Sequence, residues 1–178
     1  MDEDLAFIEA YERGDRDALE SLVRKYRQEI YYLCLRMVRQ EEDAEEMAQQ
    51  TFFNAFRGID KFRRKSKFRT WLYQIAINLC RTHAGSRKTT EELPDDFGTR
   101  EMEAASPEAD IMRMESVSEV QEELRKLSSK QREAVILRVY HEVDYNEIGR
   151  IIGCSARTAK VHFHYGIENL RKRLRKRQ

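Results

Sequence analysis

Residues 145–155 read YNEIGRIIGCS, an order of small, apolar and capping residues that is typical of two helices meeting at a tight turn. The stretch predicts a short helix, a sharp turn at Gly153 and a second helix that Ser155 caps. A helix-turn-helix needs a small residue midway along its first helix so that the second can cross closely, and Gly149 supplies it. It also needs a turn residue free of Cβ strain, which Gly153 supplies.

The second helix of this pair is predicted to have an apolar side and a DNA-facing side. Its apolar positions recur at helical spacing and predict a buried stripe of Ala159, Phe163, Ile167, Leu170 and Leu174. The opposite side presents mainly polar and basic residues near the helix N-terminus, where a recognition helix meets base edges. These candidates are Ser155, Arg157, Lys160, Val161, His164 and, in the basic tail, Arg171. The alternative is a helical hairpin that only packs, followed by a solvated tail.

Further helices are predicted upstream of this motif. One resumes near residue 108 and runs to 127, and the next carries apolar residues over 134–140. Residues 128–131, Ser-Ser-Lys-Gln, match a capping box, and residues 144–147 form a second start of the same kind. Gly166 in the last helix costs ~1 kcal/mol relative to Ala, which predicts close packing or a bend there.

The N-terminal part is predicted to hold a short acidic helix and three stronger ones. Residues 14–15, Gly-Asp, predict a helix stop followed by an N-cap. Apolar residues then recur at steps of three and four over 18–38, over 44–56 and over 68–80. A basic loop, residues 61–67, separates the last two of these helices.

Charge is strongly segregated, although the 178-residue chain has a net charge of only +1. The net charge is −7 over residues 1–60, +9 over 61–88, −7 over 89–118 and +6 over 119–178. Two separate basic blocks indicate two contacts with a polyanion, with solvated helix faces as the alternative. Over residues 87–107 the apolar periodicity is lost and turn residues accumulate, which predicts a flexible acidic linker.

The first basic block has the residue types that single-stranded DNA binding requires. The loop and the start of the next helix carry Arg63, Arg64, Lys65, Lys67 and Arg69. One stripe of that helix carries Trp71, Gln74, Asn78 and Arg81. Cations hold the phosphate backbone, an aromatic face stacks on an unpaired base, and an amide reads an exposed base edge. A core position is the alternative for Trp71.

The helix over residues 44–56 has a polar stripe that contains one aromatic residue. The stripe consists of Glu46, Gln49, Gln50, Phe53, Asn54 and Arg57. Phe53 is out of place among polar residues, which indicates a protein interface with an aromatic anchor. A single exposed Phe is also ordinary on a protein surface.

Composition argues against several classes of protein. Charged residues make up 37% of the chain and only 7 Gly and 2 Pro interrupt it, which favours helices. No apolar run approaches the roughly 20 residues that span a bilayer, and the acidic first residues do not fit a secretory leader, so a cytoplasmic protein is expected. The isolated Cys34, Cys80 and Cys154 are expected to be core hydrophobes.

Nothing in the sequence indicates a metal site, a cofactor or catalysis. His162 and His164 are two residues apart on a predicted helix, where side chains diverge, so they are not expected to share a ligand. No convergent cluster of carboxylates, His or Cys has catalytic spacing. We therefore expect no cofactor and no enzymatic activity.

Three stretches together resemble the extracytoplasmic-function (ECF) sigma factors of the sigma-70 family. Residues 43–57, DAEEMAQQTFFNAFR, resemble the polymerase-binding helix of region 2. Residues 62–81, FRRKSKFRTWLYQIAINLCR, resemble the segment that recognises and melts the minus-10 element. Residues 124–170 resemble region 4, which reads the minus-35 element. The stretches stand in the family's order and spacing and cover nearly the whole chain except the linker.

The resemblance implies an all-α fold of two small helical domains joined by a flexible acidic linker. Residues 1–87 would form a sigma region 2 helical bundle, residues 88–117 the linker, and residues 118–178 a sigma region 4 helix-turn-helix domain. The implied function is that of a sigma factor, which directs RNA polymerase core to specific promoters and initiates transcription.

The implied partners are RNA polymerase core, promoter DNA and an anti-sigma factor. Region 2 would dock on the clamp helices of the largest polymerase subunit through Asp43, Glu46, Gln49, Gln50, Phe53 and Asn54. It would hold a flipped base of the minus-10 strand with Arg63, Lys65, Lys67, Arg69, Trp71, Asn78 and Arg81. The helix around Ile136 and Tyr140 would grip the flap of the second largest subunit. The linker would thread near the polymerase active site and RNA exit path.

The recognition helix departs from the family pattern. The family often shows Thr-Val-Lys-Ser-Arg-Leu-His-Arg-Ala where residues 158–166 read TAKVHFHYG. Lys160 and His164 match, whereas polar or basic residues are replaced at Val161, His162 and Tyr165. A minus-35 sequence preference therefore does not carry over from the family.

Two competing interpretations remain. A helix-turn-helix activator or repressor would account for the C-terminal part but would leave the N-terminal basic loop and the Phe53 stripe unused. An enzyme such as a nuclease would need a catalytic cluster, and the sequence supplies none.

Overall fold

The computed structural model of the chain describes residues 3–87 and 117–175, which contain eight α-helices and no strand. These residues fall into two compact units that divide after Lys88. The predicted all-α class with two helical domains is confirmed. The predicted linker and the predicted helix from residue 108 lie, up to residue 116, outside the described residues.

The first unit consists of four helices and one short turn. They are α1 (Glu3–Glu12), α2 (Asp17–Val38), α3 (Glu41–Arg57), a 3₁₀ turn (Ile59–Lys61) and α4 (Phe68–Arg87). Between α1 and α2, Gly14 has a φ of 102° and the Asp15 carboxylate accepts the Asp17 N–H at 3.0 Å, as the predicted stop and cap require. The Gly58 N–H donates to the Asn54 and Ala55 carbonyls and ends α3.

The core of the first unit forms where α1, α3 and α4 pack against the long helix α2. Fully buried side chains on α2 and α4 include Leu22, Ile30, Leu33, Leu72 and Ile77. Burying one such side chain stabilises a fold by about 1.5–3 kcal/mol, so this apolar contact holds the helices together.

A buried carboxylate fixes α1 on α2. Asp4 is only 4% exposed and accepts a hydrogen bond from the Tyr26 hydroxyl at 2.6 Å and from Lys25 Nζ at 2.7 Å. Burial, followed by the bond to Asp4, raises the pKa of Tyr26. A buried charge is tolerated only when it is paired in this way, so these two contacts define where α1 lies.

Cys34 of α2 and Cys80 of α4 are buried and in contact. The hydrogen bond that the Cys34 thiol donates to Cys80, followed by burial, raises the pKa of Cys34, because both favour the protonated thiol. A raised pKa keeps a thiol protonated and unreactive, which agrees with the predicted role of both residues as core hydrophobes. Cys154, in the second unit, is half-buried.

The second unit contains α5 (Val117–Arg125), α6 (Ser129–His141), α7 (Tyr145–Ile152) and α8 (Ala156–Arg175). The predicted helix-turn-helix is formed by α7 and α8. The Asp144 carboxylate accepts the N–H groups of Asn146 and Glu147 at the start of α7, as predicted. Gly153 has a φ of 76° in the turn, a left-handed conformation that disfavours side chains with a Cβ.

Gly149 sits at the closest approach of the two helix-turn-helix segments. A Cβ on this residue would lie 2.6 Å from the Cys154 carbonyl oxygen, inside the closest contact that real structures show. On α8, a Cβ on Gly166 would lie 2.7 Å from a Val135 methyl group. Of the two outcomes predicted for Gly166, close packing is therefore the one that the structure shows.

Two sequence predictions for this unit are wrong. The Ser128 side chain makes no capping hydrogen bond, and Gln131 instead accepts a hydrogen bond from Asn169 of α8 at 3.2 Å. The pair satisfies a buried amide across the core, which outweighs a local cap. The helix predicted to end at Leu127 ends at Arg125, since the following N–H groups bond three residues back.

In the described parts of the chain, no helix combines the length and apolar character needed to cross a membrane.

Replacing Gly149 with Ala should destabilise the second unit by about 1–3 kcal/mol, because the added methyl group must displace backbone. Hydrogen exchange of the α7 and α8 amides would report the loss. Gly85→Ala is the control: nothing lies within 4 Å of its Cβ position, and α4 should gain ~0.5–1 kcal/mol. Equal exchange of α7 and α8 in Gly149→Ala and the parent chain would contradict the close crossing.

Candidate nucleic-acid and polymerase interfaces

The face of α8 opposite the core carries the residues predicted to meet duplex DNA. The predicted apolar stripe is buried, from Ala159 to Leu174. Ser155, Arg157 and Lys160 are exposed. Val161, His164 and Arg171 are half-buried. The structure thus places the cations of the first turns of α8 outward, beside the turn that contains Gly153.

Ser155 is occupied by its own helix. Its hydroxyl oxygen accepts the Thr158 N–H at 3.0 Å and shares a hydrogen with the Thr158 hydroxyl at 2.8 Å. This is the predicted N-cap, and it orients the first turn of α8. Further along α8, His162 is buried, and the ring centre of His164 lies 5.4 Å from that of Phe163.

In the first unit, the loop between the 3₁₀ turn and α4 presents four exposed cations, Arg63, Arg64, Lys65 and Lys67. Arg63 and Lys65 make no ion pair within the described residues. A phosphate backbone can therefore approach them without displacing an acidic partner.

Arg64 in the same loop is held by α1, which sequence reasoning missed. Its guanidinium donates to Glu9 at 3.1 Å and to Glu12 at 3.0 Å, and its φ is 55°. The signal in the sequence was the i, i+3 spacing of Glu9 and Glu12, which places both carboxylates on one helix face.

Arg69 has a different environment from the loop cations. Its guanidinium pairs with Glu29 of α2, donates to the Tyr73 hydroxyl at 3.1 Å and lies 5.0 Å from the Tyr73 ring centre. Burial, followed by a hydrogen bond to Glu29, raises the pKa of Tyr73. Arg69 therefore joins α2 to the start of α4, a role that its place in the basic block did not reveal.

The predicted stripe of α4 is present. Trp71 is half-buried, with ring centres 5.1 Å from Phe62 and 5.8 Å from Phe68, so it belongs partly to an aromatic cluster under the loop. Gln74 and Asn78 are exposed. Arg81 donates to the Asn78 side-chain oxygen at 3.3 Å, which restrains that amide.

The exposed face of α3 combines polar residues with one aromatic anchor. Phe53 is 56% exposed, and the Arg57 guanidinium lies 5.4 Å from its ring centre. Glu46, Gln49, Gln50 and Asn54 are exposed beside it. Asp43 differs from them, since its carboxylate is half-buried at 3.2 Å from His83 Nε2.

A groove of about 610 Å³ lies between α2 and α3, next to this face. It was not predicted, because its walls come from two helices. Its lining combines apolar with polar groups: Val23, Arg27, Gln28, Tyr31, Glu45, Ala48, Gln49 and Phe52.

The flap contact expected of the helix around Ile136 and Tyr140 stays a prediction. Within that helix, Ile136 is 0% exposed, because α6 packs against both α7 and α8. Tyr140 on the same helix is half-buried. In the described residues, no group of three or more His, Cys, Asp or Glu side chains could hold a metal ion.

Two sequence families match the two units. Residues 22–90 match Sigma-70 region 2, and residues 118–170 match Sigma-70, region 4. Together these matches cover more than half of the chain.

Full-length relatives agree with these matches. The ECF RNA polymerase sigma factor SigW of Bacillus subtilis is 33% identical over 177 residues, covering 94% of this chain and 95% of the relative. The RNA polymerase sigma-H factor of Pseudomonas aeruginosa is 30% identical over 185 residues, covering 98% of this chain and 95% of the relative.

Solved structures share the fold. CnrH, in complex with the cytosolic domain of CnrY, gives a TM-score of 0.76 at 20% identity and covers 99% of this chain and 100% of its own. The sigma factor RpoE of Bartonella quintana, in complex with the anti-sigma factor NepR, gives 0.67 at 19% identity, covering 90% and 98%. The two family matches and the full-length relatives show that the chain belongs to the ECF sigma factors of the sigma-70 family, and it directs RNA polymerase core to specific promoters and initiates transcription.

Proposed function

We propose that the two units divide the promoter between them, with α8 reading minus-35 duplex and the loop and α4 holding the opened minus-10 strand. The observation that carries this proposal is the pair of exposed cation sets, Arg63 and Lys65 on one unit and Arg157 and Lys160 on the other. Within the described residues none of the four makes an ion pair. Such cations are available to neutralise phosphates.

At minus-35, the first turns of α8 would enter the major groove. Arg157 and Lys160 can donate to guanine or to phosphate, and Val161 can contact a thymine methyl group. Ser155 would act through the helix start that it caps. Arg171, further along α8, would contact the backbone.

At minus-10, the exposed amide of Asn78 would read a base that has left the stack. Trp71 lies half-buried in the aromatic cluster beside Phe62, and Arg81 restrains the Asn78 amide. Lys67 would join Arg63 and Lys65 on the phosphates. Arg69 would support these contacts indirectly, because it is engaged by Glu29.

The exposed face of α3 would bind the clamp helices of the largest polymerase subunit. Phe53 is the kind of aromatic residue that anchors a protein interface, and Glu46, Gln49, Gln50 and Asn54 would form its polar rim. Asp43 would act at the edge of this face, where it pairs with His83. On the second unit, the surface around Tyr140 would meet the flap of the second largest subunit.

An anti-sigma factor is the proposed regulator of this chain. The support is that the similar RpoE was solved in complex with the anti-sigma factor NepR. Polymerase binding and promoter recognition take place in the cytoplasm, which is the proposed location. The chain itself would catalyse no reaction, since polymerase supplies the chemistry.

The decisive experiment is in vitro transcription with core polymerase on a genomic DNA library. Promoter-specific transcripts that require both the chain and core polymerase are expected. A helix-turn-helix repressor would instead bind duplex DNA without polymerase and yield no transcripts.

Replacing Phe53 and Gln49 with Ala should weaken binding to core polymerase by about 2 kcal/mol or more, roughly thirtyfold, because an interface anchor is lost. Binding would be measured by fluorescence anisotropy, with circular dichroism to check helix content. Tyr32→Ala is the matched control, since Tyr32 is the other large exposed aromatic residue among those described and lies on α2. Equal affinities of the two variants would refute the assignment of the α3 face.

Replacing Arg157 or Lys160 with Ala should impair closed-complex formation on duplex promoters. A lost base contact costs ~1–3 kcal/mol at one position, whereas a lost phosphate contact weakens all sequences and lowers the salt slope by about one. Electrophoretic mobility assays across a salt series, with promoter variants, would separate the two roles.

Asn78→Ala should instead impair strand opening detected by permanganate. If Asn78 reads a flipped base, the defect will persist on a premelted template and depend on that base. If it only aids melting, the premelted template will restore initiation. Normal initiation by all three variants on a duplex promoter would show that DNA contacts other faces.

A further inference from the structure

Helix α1 connects the long helix α2 with the basic loop of residues 61–67, which is the proposed minus-10 loop. Near its start, buried Asp4 bonds to Tyr26 and Lys25 of α2. One to two turns later, Glu9 and Glu12 bind the Arg64 guanidinium through one nitrogen each, at 3.1 and 3.0 Å. A helix anchored at one end on the core thus holds a loop residue 52 and 55 positions away in sequence at the other.

The residue that α1 holds has a strained backbone. Arg64 has a φ of 55°, in the left-handed region. A residue with a Cβ is disfavoured there by about five- to thirtyfold, so surrounding contacts must hold it. The direction of the chain at Arg64 sets where its neighbours Arg63 and Lys65 point, and both are exposed.

We infer that Glu9 and Glu12 are positioning residues for the minus-10 loop: they hold Arg64 in the turn that presents Arg63 and Lys65 to the single strand, and they keep Arg64 itself off the phosphates. This inference rests on the proposed minus-10 role of the loop. The two ion pairs are exposed, with Arg64 side-chain exposure of 40%, so each is weak alone. Their effect comes from fixing one guanidinium between two carboxylates on a single helix face.

Loss of the ion pairs of Arg64 with Glu9 and Glu12 has two opposite consequences for DNA binding. The fraction of molecules whose loop has the turn that presents Arg63 and Lys65 falls, and the affinity for a preferred strand falls with it. At the same time Arg64 is released from its carboxylates and becomes one more cation for any strand, which raises non-specific affinity and steepens its salt dependence. A general loss of structure would lower both affinities.

The test uses holoenzyme reconstituted from the full chain and core polymerase. Two fluorescent single strands of about 12 nucleotides serve as probes, one selected from a randomised pool by the parent holoenzyme and one of oligo-dT. The variant is Glu9→Ala with Glu12→Ala. Glu20→Ala is the control, because it also removes an exposed carboxylate paired with an arginine, Arg24, at 3.1 Å but lies on α2.

The affinity ratio of the selected strand to oligo-dT should fall about fivefold in the double variant. This is the lower end of the range by which the left-handed backbone conformation of Arg64 is disfavoured once nothing holds it. The salt slope for oligo-dT should steepen by about 0.7. The ratio should not change in Glu20→Ala. An equal change for both strands, with the ratio unaltered, would overturn the inference.

A charge swap tests the same two ion pairs independently. Arg64→Glu alone should lower the ratio, and adding Glu9→Lys with Glu12→Lys should restore it by re-forming the pairs with reversed charge. Failure of the swap to restore the ratio would overturn the inference.

A separate variant distinguishes the inference from the proposed function. Replacing Arg63 and Lys65 with Ala should weaken binding of both strands. If it does so while the α1 variants leave the ratio unchanged, only the role of α1 is wrong. If the Arg63 and Lys65 variant binds both strands normally, the loop does not hold the minus-10 strand and both ideas fail.

Discussion

The apolar contact of α1, α3 and α4 with α2 is the interaction on which the first unit depends. Each of these helices buries one face, and α2 contributes fully buried Leu22, Ile30 and Leu33 to the shared core. A helix that has buried one face leaves the opposite face in solvent. The exposed face of α3 around Phe53 and the exposed stripe of α4 around Asn78 are therefore consequences of the same packing.

The second unit depends on the close approach of two backbone segments at Gly149. The Gly149 backbone must lie against the Cys154 carbonyl for α7 and α8 to meet, and only a hydrogen side chain fits there. Gly166 allows α8 an equally close approach to Val135 of α6. These two contacts orient α8, so the exposed Arg157 and Lys160 face away from a rigid support. A recognition helix needs such support, because base reading tolerates little displacement.

Basic residues in this chain have two distinct roles that their sequence clustering hides. Arg64 and Arg69 are bound by carboxylates of α1 and α2 and organise the loop and the start of α4. Arg63 and Lys65, their close neighbours, have no such partner among the described residues. The segment with the highest positive charge therefore combines cations that shape the surface with cations that are available to DNA. Its acidic partners lie on helices that belong to the negatively charged N-terminal stretch.

Local patterns in the sequence were sufficient for the helices, their buried stripes and three of their caps, because helical spacing and the caps at Asp15, Asp144 and Ser155 involve residues within four positions of each other. Phe53 was also identified in this way, as an aromatic residue on a polar stripe. Tertiary structure decided the rest. Gln131 bonds to Asn169, 38 positions away, rather than to the local helix start. Arg64 and Arg69 find carboxylates 40 to 55 positions away. Ile136 is enclosed because two helices pack against α6. Partner choice across such separations depends on which surfaces the folded helices bring together, and no local pattern specifies it.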